Sequence, residues 1–129
     1  MILNFLNKNK NYIPEQLQML LLEHFPGAMN IEWLQAGDLL EAVFYVDSSE
    51  HIAKFDLSGH LKNYKVNLLK EAVPDLIKSA AISYGEIMSV IGIVTDREHT
   101  FEVIMRRADQ SRQILLFDVH GNIIEVKKV

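Results

Sequence analysis

The chain alternates apolar and polar residues over most of its length, and a period of two is typical of half-buried β-strands. The alternating segments are separated by short runs of Gly, Asp, Asn and Ser, which favour tight turns. This pattern predicts eight strands, at residues 31–36, 40–46, 51–57, 61–66, 88–95, 100–107, 112–118 and 123–128.

Two segments instead carry apolar residues at helical spacing. The first has the stripe Leu17, Leu20, Leu21 and Phe25, and the second has the stripe Leu76, Ile77, Ala80, Ala81 and Tyr84. Pro14 and Pro74 precede these stripes, and proline suits the first position of a helix. Gly27 and Gly85 follow them, where glycine favours helix termination. Residues 1–12, rich in Asn and Lys, are predicted to be a loosely attached segment with a helical turn.

A short motif occurs twice in the chain. The run from Phe55 to Leu61 (Phe-Asp-Leu-Ser-Gly-His-Leu) returns 62 positions later as the run from Phe117 to Ile123 (Phe-Asp-Val-His-Gly-Asn-Ile). Each copy has Asp at the first and Gly at the fourth position of a turn, the residue types that a type I turn prefers when its last residue has a positive φ. The two copies therefore indicate equivalent hairpins in a duplicated unit.

The duplication places one helix before four strands in each half of the chain. We therefore predict an α+β fold of two tandem αββββ repeats, at about 13–67 and 73–129, within a single domain of residues 1–129. The strands should pair in chain order as an antiparallel sheet, with both helices on one face.

Strand pairing decides which residues share a face, because side chains alternate across a strand. A two-residue turn at Gly37-Asp38 places Trp33 opposite Ala42, and the next hairpin is expected to place Phe44 opposite Ala53. The face that seats the first helix then carries Ile31, Trp33, Leu40, Ala42, Phe44, Val46, Ala53, Phe55, Leu57 and Leu61. Its counterpart in the second repeat carries Phe101, Val103, Met105, Leu115, Phe117 and Ile123.

The opposite, helix-free face is predicted to be partly apolar. In the first repeat it carries Val43, Tyr45, Ile52, Tyr64 and Val66, and in the second Ile104, Ile114, Leu116, Ile124 and Val126. Charged residues are interspersed among them: Glu41, Lys54, Lys62, Glu102, Arg106 and Arg112. A broad apolar sheet with scattered charges is typical of an interaction surface, although β-branched residues are favoured in any strand.

Composition narrows the function classes. The net charge of −4, with no run of Lys and Arg longer than a pair, disfavours nucleic acid as a partner. The absence of Cys excludes thiol nucleophiles and Cys-bound metals. No apolar run approaches the roughly 20 residues that span a bilayer, so no membrane insertion is expected. The sequence as given has no secretory signal pattern, which predicts a cytoplasmic protein, or a periplasmic one if a leader was removed.

The residues that could carry chemistry favour structural roles. None of the five histidines has a metal-ligand spacing, and His60 and His120 flank the glycines of the repeated turns. Asp56 and Asp118 could be read as a carboxylate pair, but as first residues of turns they are expected to cap backbone N–H groups. No GxSxG, P-loop or GxGxxG motif occurs. We therefore predict no enzyme activity, no cofactor and no metal.

The order of several short motifs resembles the PepSY-like family of small bacterial proteins over residues 13–124. The motifs in the first half are Ile13-Pro14, His24-Phe25-Pro26-Gly27-Ala28, Ile31-Glu32-Trp33, Glu41-Ala42-Val43-Phe44 and the run from Lys54 to Leu61. Those in the second half are Val73-Pro74, Phe101-Glu102-Val103 and the run from Leu116 to Gly121, while Ser83-Tyr84-Gly85 replaces the Phe-Pro pair. The resemblance implies a fold similar to the beta-lactamase inhibitor protein, whose sheet grips a partner, and implies no catalytic residues.

These observations predict a non-enzymatic, inhibitor-like binding module that contacts a protein partner through its helix-free face. The residues expected to make the contact are Tyr45, Ile52, Lys54, Tyr64, Ile104, Arg106, Leu116 and Ile124. Two alternatives stay open: a homodimer that pairs through the apolar sheet, and a small-ligand binder with a pocket between the sheet and the helices.

Overall fold

The computed structural model of the chain describes residues 15–129. The predicted helix start at Pro14 and the segment predicted at residues 1–12 lie outside the described residues. The helices are α1 (Glu15–His24) and α2 (Asp75–Ile82), and a 3-10 turn (Lys70–Ala72) precedes α2. The strands are β1 (Met29–Ala36), β2 (Leu39–Val46), β3 (Ser49–Asp56), β4 (Leu61–Leu68), β5 (Glu86–Thr95), β6 (His99–Arg106), β7 (Arg112–Phe117) and β8 (Ile123–Lys128).

The predicted fold class, two tandem αββββ repeats with both helices on one face, is wrong. Residues 15–129 form one eight-stranded antiparallel sheet in the order β1 to β8, accompanied by only two short helices. Strands joined by tight turns pair with their neighbours in the chain, so each hairpin extends the same sheet. Helices of eight and ten residues are about 12–15 Å long and build no continuous helical layer.

By its internal contacts the chain forms two compact units, unit 1 up to Tyr64 and unit 2 from Lys65 onward. In unit 1, helix α1 packs Leu17 and Leu21 against β2 and β3. The core there consists of fully buried Leu17, Leu21, Leu40, Ala42, Phe44, Ala53 and Phe55. Burying a large apolar side chain stabilises by roughly 1.5–3 kcal/mol before conformational entropy is subtracted.

The hairpins of unit 1 confirm one predicted pairing and correct another. Trp33 lies opposite Ala42, as the Gly37-Asp38 turn predicts. Phe44 lies opposite His51, and Ala53 opposite Ala42. The β2–β3 turn has only two residues, Asp47 and Ser48, at φ 47° and 70°, the backbone of a type I′ turn. The register of β3 against β2 therefore differs from the prediction by two residues. A shift of two leaves the side chains of these two strands on their predicted faces.

In unit 2, helix α2 packs Ile77 and Ala81 onto β5, β6 and β7. The buried side chains on these strands are Val90, Phe101, Val103, Met105, Leu115 and Phe117. Val90, Val103 and Leu115 oppose one another in register across the three strands. Five of the six residues predicted for this face are buried, and the sixth, Ile123, is 36% exposed on β8.

The repeated motif forms the predicted turn in both copies. Gly59 and Gly121 have φ of 88° and 85°, and their backbone N–H groups donate to the carbonyl oxygens of Asp56 and Asp118. In the first copy the Asp56 Oδ1 accepts hydrogen bonds from the backbone N–H groups of Ser58 and His60, both at 2.9 Å. The second copy repeats both bonds on Asp118, with His120 and Asn122 as donors at 2.9 Å.

Candidate functional site

The face of unit 2 that points away from its core is termed open face 2 and carries two cross-strand rows on β5 to β8. One row is Ile91, Glu102, Leu116 and Glu125, and the other is Ser89, Ile104, Ile114 and Lys127. Ile91, Ile104, Ile114 and Leu116 are half-buried and neighbour one another across β5, β6 and β7. The result is an apolar patch with Glu102 in its middle, and neither helix of residues 15–129 packs against it.

Arginines border open face 2 at one end. Arg106 donates two hydrogen bonds to Glu86 Oε2, from Nη2 at 2.7 Å and from Nε at 3.2 Å. Arg112 lies directly opposite Arg106 across β6 and β7, so two like charges face each other. Glu86 pairs with only one of them, and Arg112 forms no ion pair with the described residues.

The corresponding surface of unit 1, on β2 and β3, is termed open face 1. Val43 opposes Ile52, and this apolar pair is flanked by the opposite charges of Glu41 and Lys54. On its other side Tyr45, which is 40% exposed, donates from Oη to Glu50 Oε2 at 3.3 Å. This arrangement presents an aromatic ring beside an aliphatic pair, with charges at the rim.

The structure brings together six of the eight predicted contact residues, three on each open face. Tyr45, Ile52 and Lys54 lie on open face 1. Ile104, Arg106 and Leu116 lie on open face 2.

Tyr64 is placed differently from the prediction. Its ring meets Phe25 edge-on with a centroid separation of 5.0 Å, and it packs against the core of unit 1. Phe25 in turn contacts Phe44 at 4.9 Å. Tyr64 therefore belongs to the core of unit 1, because Phe25, which follows α1, packs against its ring. The alternation of side chains along β4 does not predict this contact.

Ile124 is also displaced from the predicted face. The β7–β8 pairing sets Glu125 opposite Leu116 and Val126 opposite the buried Leu115, with a register shift next to Phe117. Glu125 and Lys127 therefore lie beside the apolar patch, and Val126 lies on the core side. The shift at the start of β8 reverses the faces expected for this strand.

A groove lies between the 3-10 turn, α2 and β5, all within unit 2. Its volume is about 370 Å³, and it is lined by Leu68, Lys70, Val73, Lys78, Ile82, Ile87, Met88, Ser89 and Val90. Most of these side chains are apolar, and neither lysine forms an ion pair with a residue of the described chain. Sequence reasoning missed this groove because its residues come from four elements, β4, the 3-10 turn, α2 and β5, and share no motif.

Trp33 is half-buried and packs against Phe55, with ring centroids 5.9 Å apart, as predicted for a core residue. Its indole Nε1 is buried and has no hydrogen-bond partner among residues 15–129. An unpaired buried N–H lowers stability. No signal in the sequence predicts this feature.

The carboxylates of Asp56 and Asp118 accept hydrogen bonds from the backbone of their own turns. Hydrogen bonds lower the pKa of both carboxyl groups: the largest cause is the backbone N–H of His60 for Asp56 and that of Asn122 for Asp118. A carboxylate held ionised in this way is a poor proton carrier at neutral pH. Across residues 15–129 no group of three or more His, Asp or Glu side chains could hold a metal ion, and no helix is long and apolar enough to cross a membrane.

Comparison with solved structures identifies proteins of the same fold. A BLIP-like protein from Bacteroides fragilis superposes with a TM-score of 0.76 at 21% identity, covering 95% of this chain and 92% of that chain. A DUF2874 family protein from Bacteroides uniformis gives 0.76 at 20% identity, covering 92% and 91%. A protein from Bacteroides eggerthii, assigned provisionally to the periplasm, gives 0.77 at 17% identity with the same coverage.

No protein-family model and no curated protein matches the chain. The structural likeness supports the fold expected from the resemblance to the beta-lactamase inhibitor protein. These comparisons do not confirm the PepSY-like family name, which stays a prediction, and they do not confirm a tandem repeat.

Proposed function

We propose that the protein is a non-enzymatic, inhibitor-like module that binds a protein partner through its open faces. The observation that carries the proposal is the apolar patch on open face 2, in which Ile91, Ile104, Ile114 and Leu116 neighbour one another and neither described helix packs on them. Apolar patches rimmed by charges favour protein interaction. The BLIP-like description of one structural neighbour supports the same class of function.

Open face 1, within unit 1, carries features of a protein contact of its own. Tyr45 offers a ring and a hydroxyl, and tyrosine is enriched among residues that dominate binding energy. Lys54 and Arg106 lie at the rims, where charges affect association rate and specificity more than affinity. The unmatched charge of Arg112 opposite Arg106 predicts an acidic group on the partner.

Matched substitutions test the proposed surface. Ile104→Asp and Tyr45→Ala should each reduce the binding of a captured partner at least about tenfold, because a charge in an apolar contact or the loss of an aromatic anchor typically costs more than 1.4 kcal/mol. Partners would be captured from the native cell with the full chain, identified by mass spectrometry and measured by calorimetry.

The controls use exposed residues elsewhere. Tyr84→Ala matches Tyr45→Ala, since the two side chains are 45% and 40% exposed. Leu76→Asp puts the same charge on an exposed apolar residue of α2, and circular dichroism of Ile104→Asp checks that its half-buried position keeps the fold. Partner binding that survives the open-face variants, or that is lost equally in the controls, would rule out these faces as the binding surface.

The groove beside α2 favours a second candidate function, the binding of a small amphipathic anion. Its volume of about 370 Å³ lies within the range of ligand pockets, roughly 300–1,000 Å³. Lys70 and Lys78 would hold the anionic group, and Ile82, Ile87 and Met88 the apolar part. We expect sodium dodecanoate, and not dodecyltrimethylammonium, to shift the NMR resonances of these residues.

A charge-removing variant separates specific binding from surface adsorption. Lys70→Ala with Lys78→Ala should weaken dodecanoate binding at least about tenfold, whereas the matched pair Lys62→Ala with Lys65→Ala on β4 should leave it unchanged. Equal effects of the two double variants, or equal binding of the cationic amphiphile, would exclude the groove as an anion site.

For the compartment we propose the periplasm, on the description of the Bacteroides eggerthii neighbour. Osmotic-shock fractionation of the native cell tests it: recovery with cytoplasmic markers would instead support the cytoplasmic assignment predicted from the sequence as given.

A further inference from the structure

Strand β8 is the last strand in the sheet order, and its outer edge has no neighbour among the described residues. All six of its residues are exposed, including Ile124 at 51% and Val126 at 50%. The backbone N–H and C=O groups along such an edge are available to another strand. Exposed apolar side chains on an open edge are a template for strand addition.

The charges of β8 are arranged in an alternating pattern. Glu125 and Lys127 lie on open face 2, opposite Leu116 and Ile114. Their side chains approach each other only to 3.9 Å, and both are at least half exposed. Val126 lies between them in the chain and points to the other face, opposite Leu115.

Two-fold symmetry restricts how β8 can pair with a second copy of itself. An antiparallel pair related by an axis perpendicular to the sheet keeps each face on its own side, so directly opposite residues must have side chains on the same face. The axis then lies midway between one residue and the same residue of the second copy. Near the middle of β8 that residue is Glu125 or Val126.

Charge selects between these two registers. An axis at Glu125 sets Glu125 against its own copy, and like charges directly opposite are destabilising. An axis at Val126 sets Glu125 opposite Lys127 of the second copy, and this ion pair occurs twice. The same register sets Val126 against Val126 of the second copy on the core side, an apolar contact between the two ion pairs.

We propose that a second copy of this chain binds along β8, antiparallel, with the two-fold axis at Val126. The other edge of the sheet is less suited: β1 is interrupted by a register shift between Met29 and Glu32, where Asn30 has a φ of 54°. The backbone pairing uses the β8 edge, and its two ion pairs lie at the border of open face 2, beside the apolar patch proposed to bind a partner.

Charge-swap variants of the full chain test this register in sedimentation experiments over a range of concentrations. Glu125→Lys and Lys127→Glu alone each place like charges opposite, and each should weaken self-association at least about tenfold. The double variant, Glu125→Lys with Lys127→Glu, should restore it. A mixture of the two single variants should form a one-to-one heterodimer, because each then meets the opposite charge.

Two outcomes would overturn the proposal. One is a chain that stays monomeric at every concentration up to about 1 mM, where even the small interface of a single strand pair would associate. The other is self-association that ignores the charge swaps and disappears instead in Ile104→Asp, which would assign the dimer to open face 2. Circular dichroism of each variant confirms that the exposed substitutions leave the fold intact.

Discussion

At the scale of single residues, the two repeated aspartates are held by matching sets of backbone hydrogen bonds. Each Oδ1 accepts two backbone N–H groups at 2.9 Å, and each carboxyl has a lowered pKa. The ordinary pKa is 3.8, so the folded groups stay ionised to lower pH than the unfolded ones. Asp56 and Asp118 therefore make the stability of the two turns depend on pH.

This linkage predicts an acid-dependent loss of stability. A carboxyl with a lowered pKa in the folded state contributes stability that is complete above the unfolded pKa and is lost as the pH falls through the folded pKa. Below about pH 4 the unfolded chain takes up protons that the folded turns exclude, so unfolding becomes easier. We expect Asp56→Asn with Asp118→Asn, which keeps an oxygen acceptor, to flatten this part of the stability curve.

Urea denaturation between pH 7 and pH 2.5 measures the effect. Asp96→Asn in the turn between β5 and β6 serves as the control, since its carboxyl accepts no hydrogen bond from the described residues. If the double variant and the wild type lost stability in parallel below pH 4, the turn carboxylates would not be the source of the acid sensitivity.

At the scale of elements, the β7–β8 hairpin is attached to α2 through its turn. A Cβ placed on Gly121 would lie 3.3 Å from the carbonyl oxygen of Leu76 and 3.4 Å from Cβ of Ala80. The turn therefore needs glycine for two reasons, a φ of 85° and the close approach of the helix. The repeated motif predicts the first reason, and only the packed helix supplies the second.

Gly27 and Gly121 have nearly the same φ, so their alanine variants separate the conformational cost from the cost of crowding against α2. Gly27 has a φ of 86° and no described atom within 4 Å of the point that a Cβ would occupy, so Gly27→Ala should cost only the conformational penalty, about 1 kcal/mol. Gly121→Ala should cost about 1 kcal/mol more, because the crowded contacts with α2 must also shift. Thermal and chemical denaturation of both variants measures the difference. Equal losses in the free energy of unfolding would show that α2 shifts to accommodate the added Cβ at no energetic cost.

At the scale of the whole molecule, the fold tolerates wide changes in sequence. Solved structures with 17–21% identity superpose over more than 90% of this chain. What such distant chains share is the alternation of apolar and polar residues and the tight turns, which many sequences satisfy. Fold likeness therefore leaves the partner unspecified, and the surface residues of this chain must identify it.

Much of the fold could be predicted because its causes are local. Alternation with a period of two identifies strands and faces, and the Asp and Gly positions identify the repeated turns. These signals correctly placed Phe55 and Phe117 in the buried cores, and Ile104 and Leu116 on a helix-free face. An error of two residues in the β2–β3 register did no harm, because side-chain direction repeats every two residues.

The remaining features depend on contacts between segments that are distant in sequence. Tyr64 joins the core because Phe25, at the end of α1, reaches its ring, and Ile124 changes face because of a register shift in β8. The groove exists only where α2, the 3-10 turn and β5 meet. By itself the sequence determined the strands, the turns and the apolar sides of the central strands. The tertiary structure decided the faces at β4 and β8 and the neighbours across elements, since packing and bulges depend on geometry that no local pattern encodes.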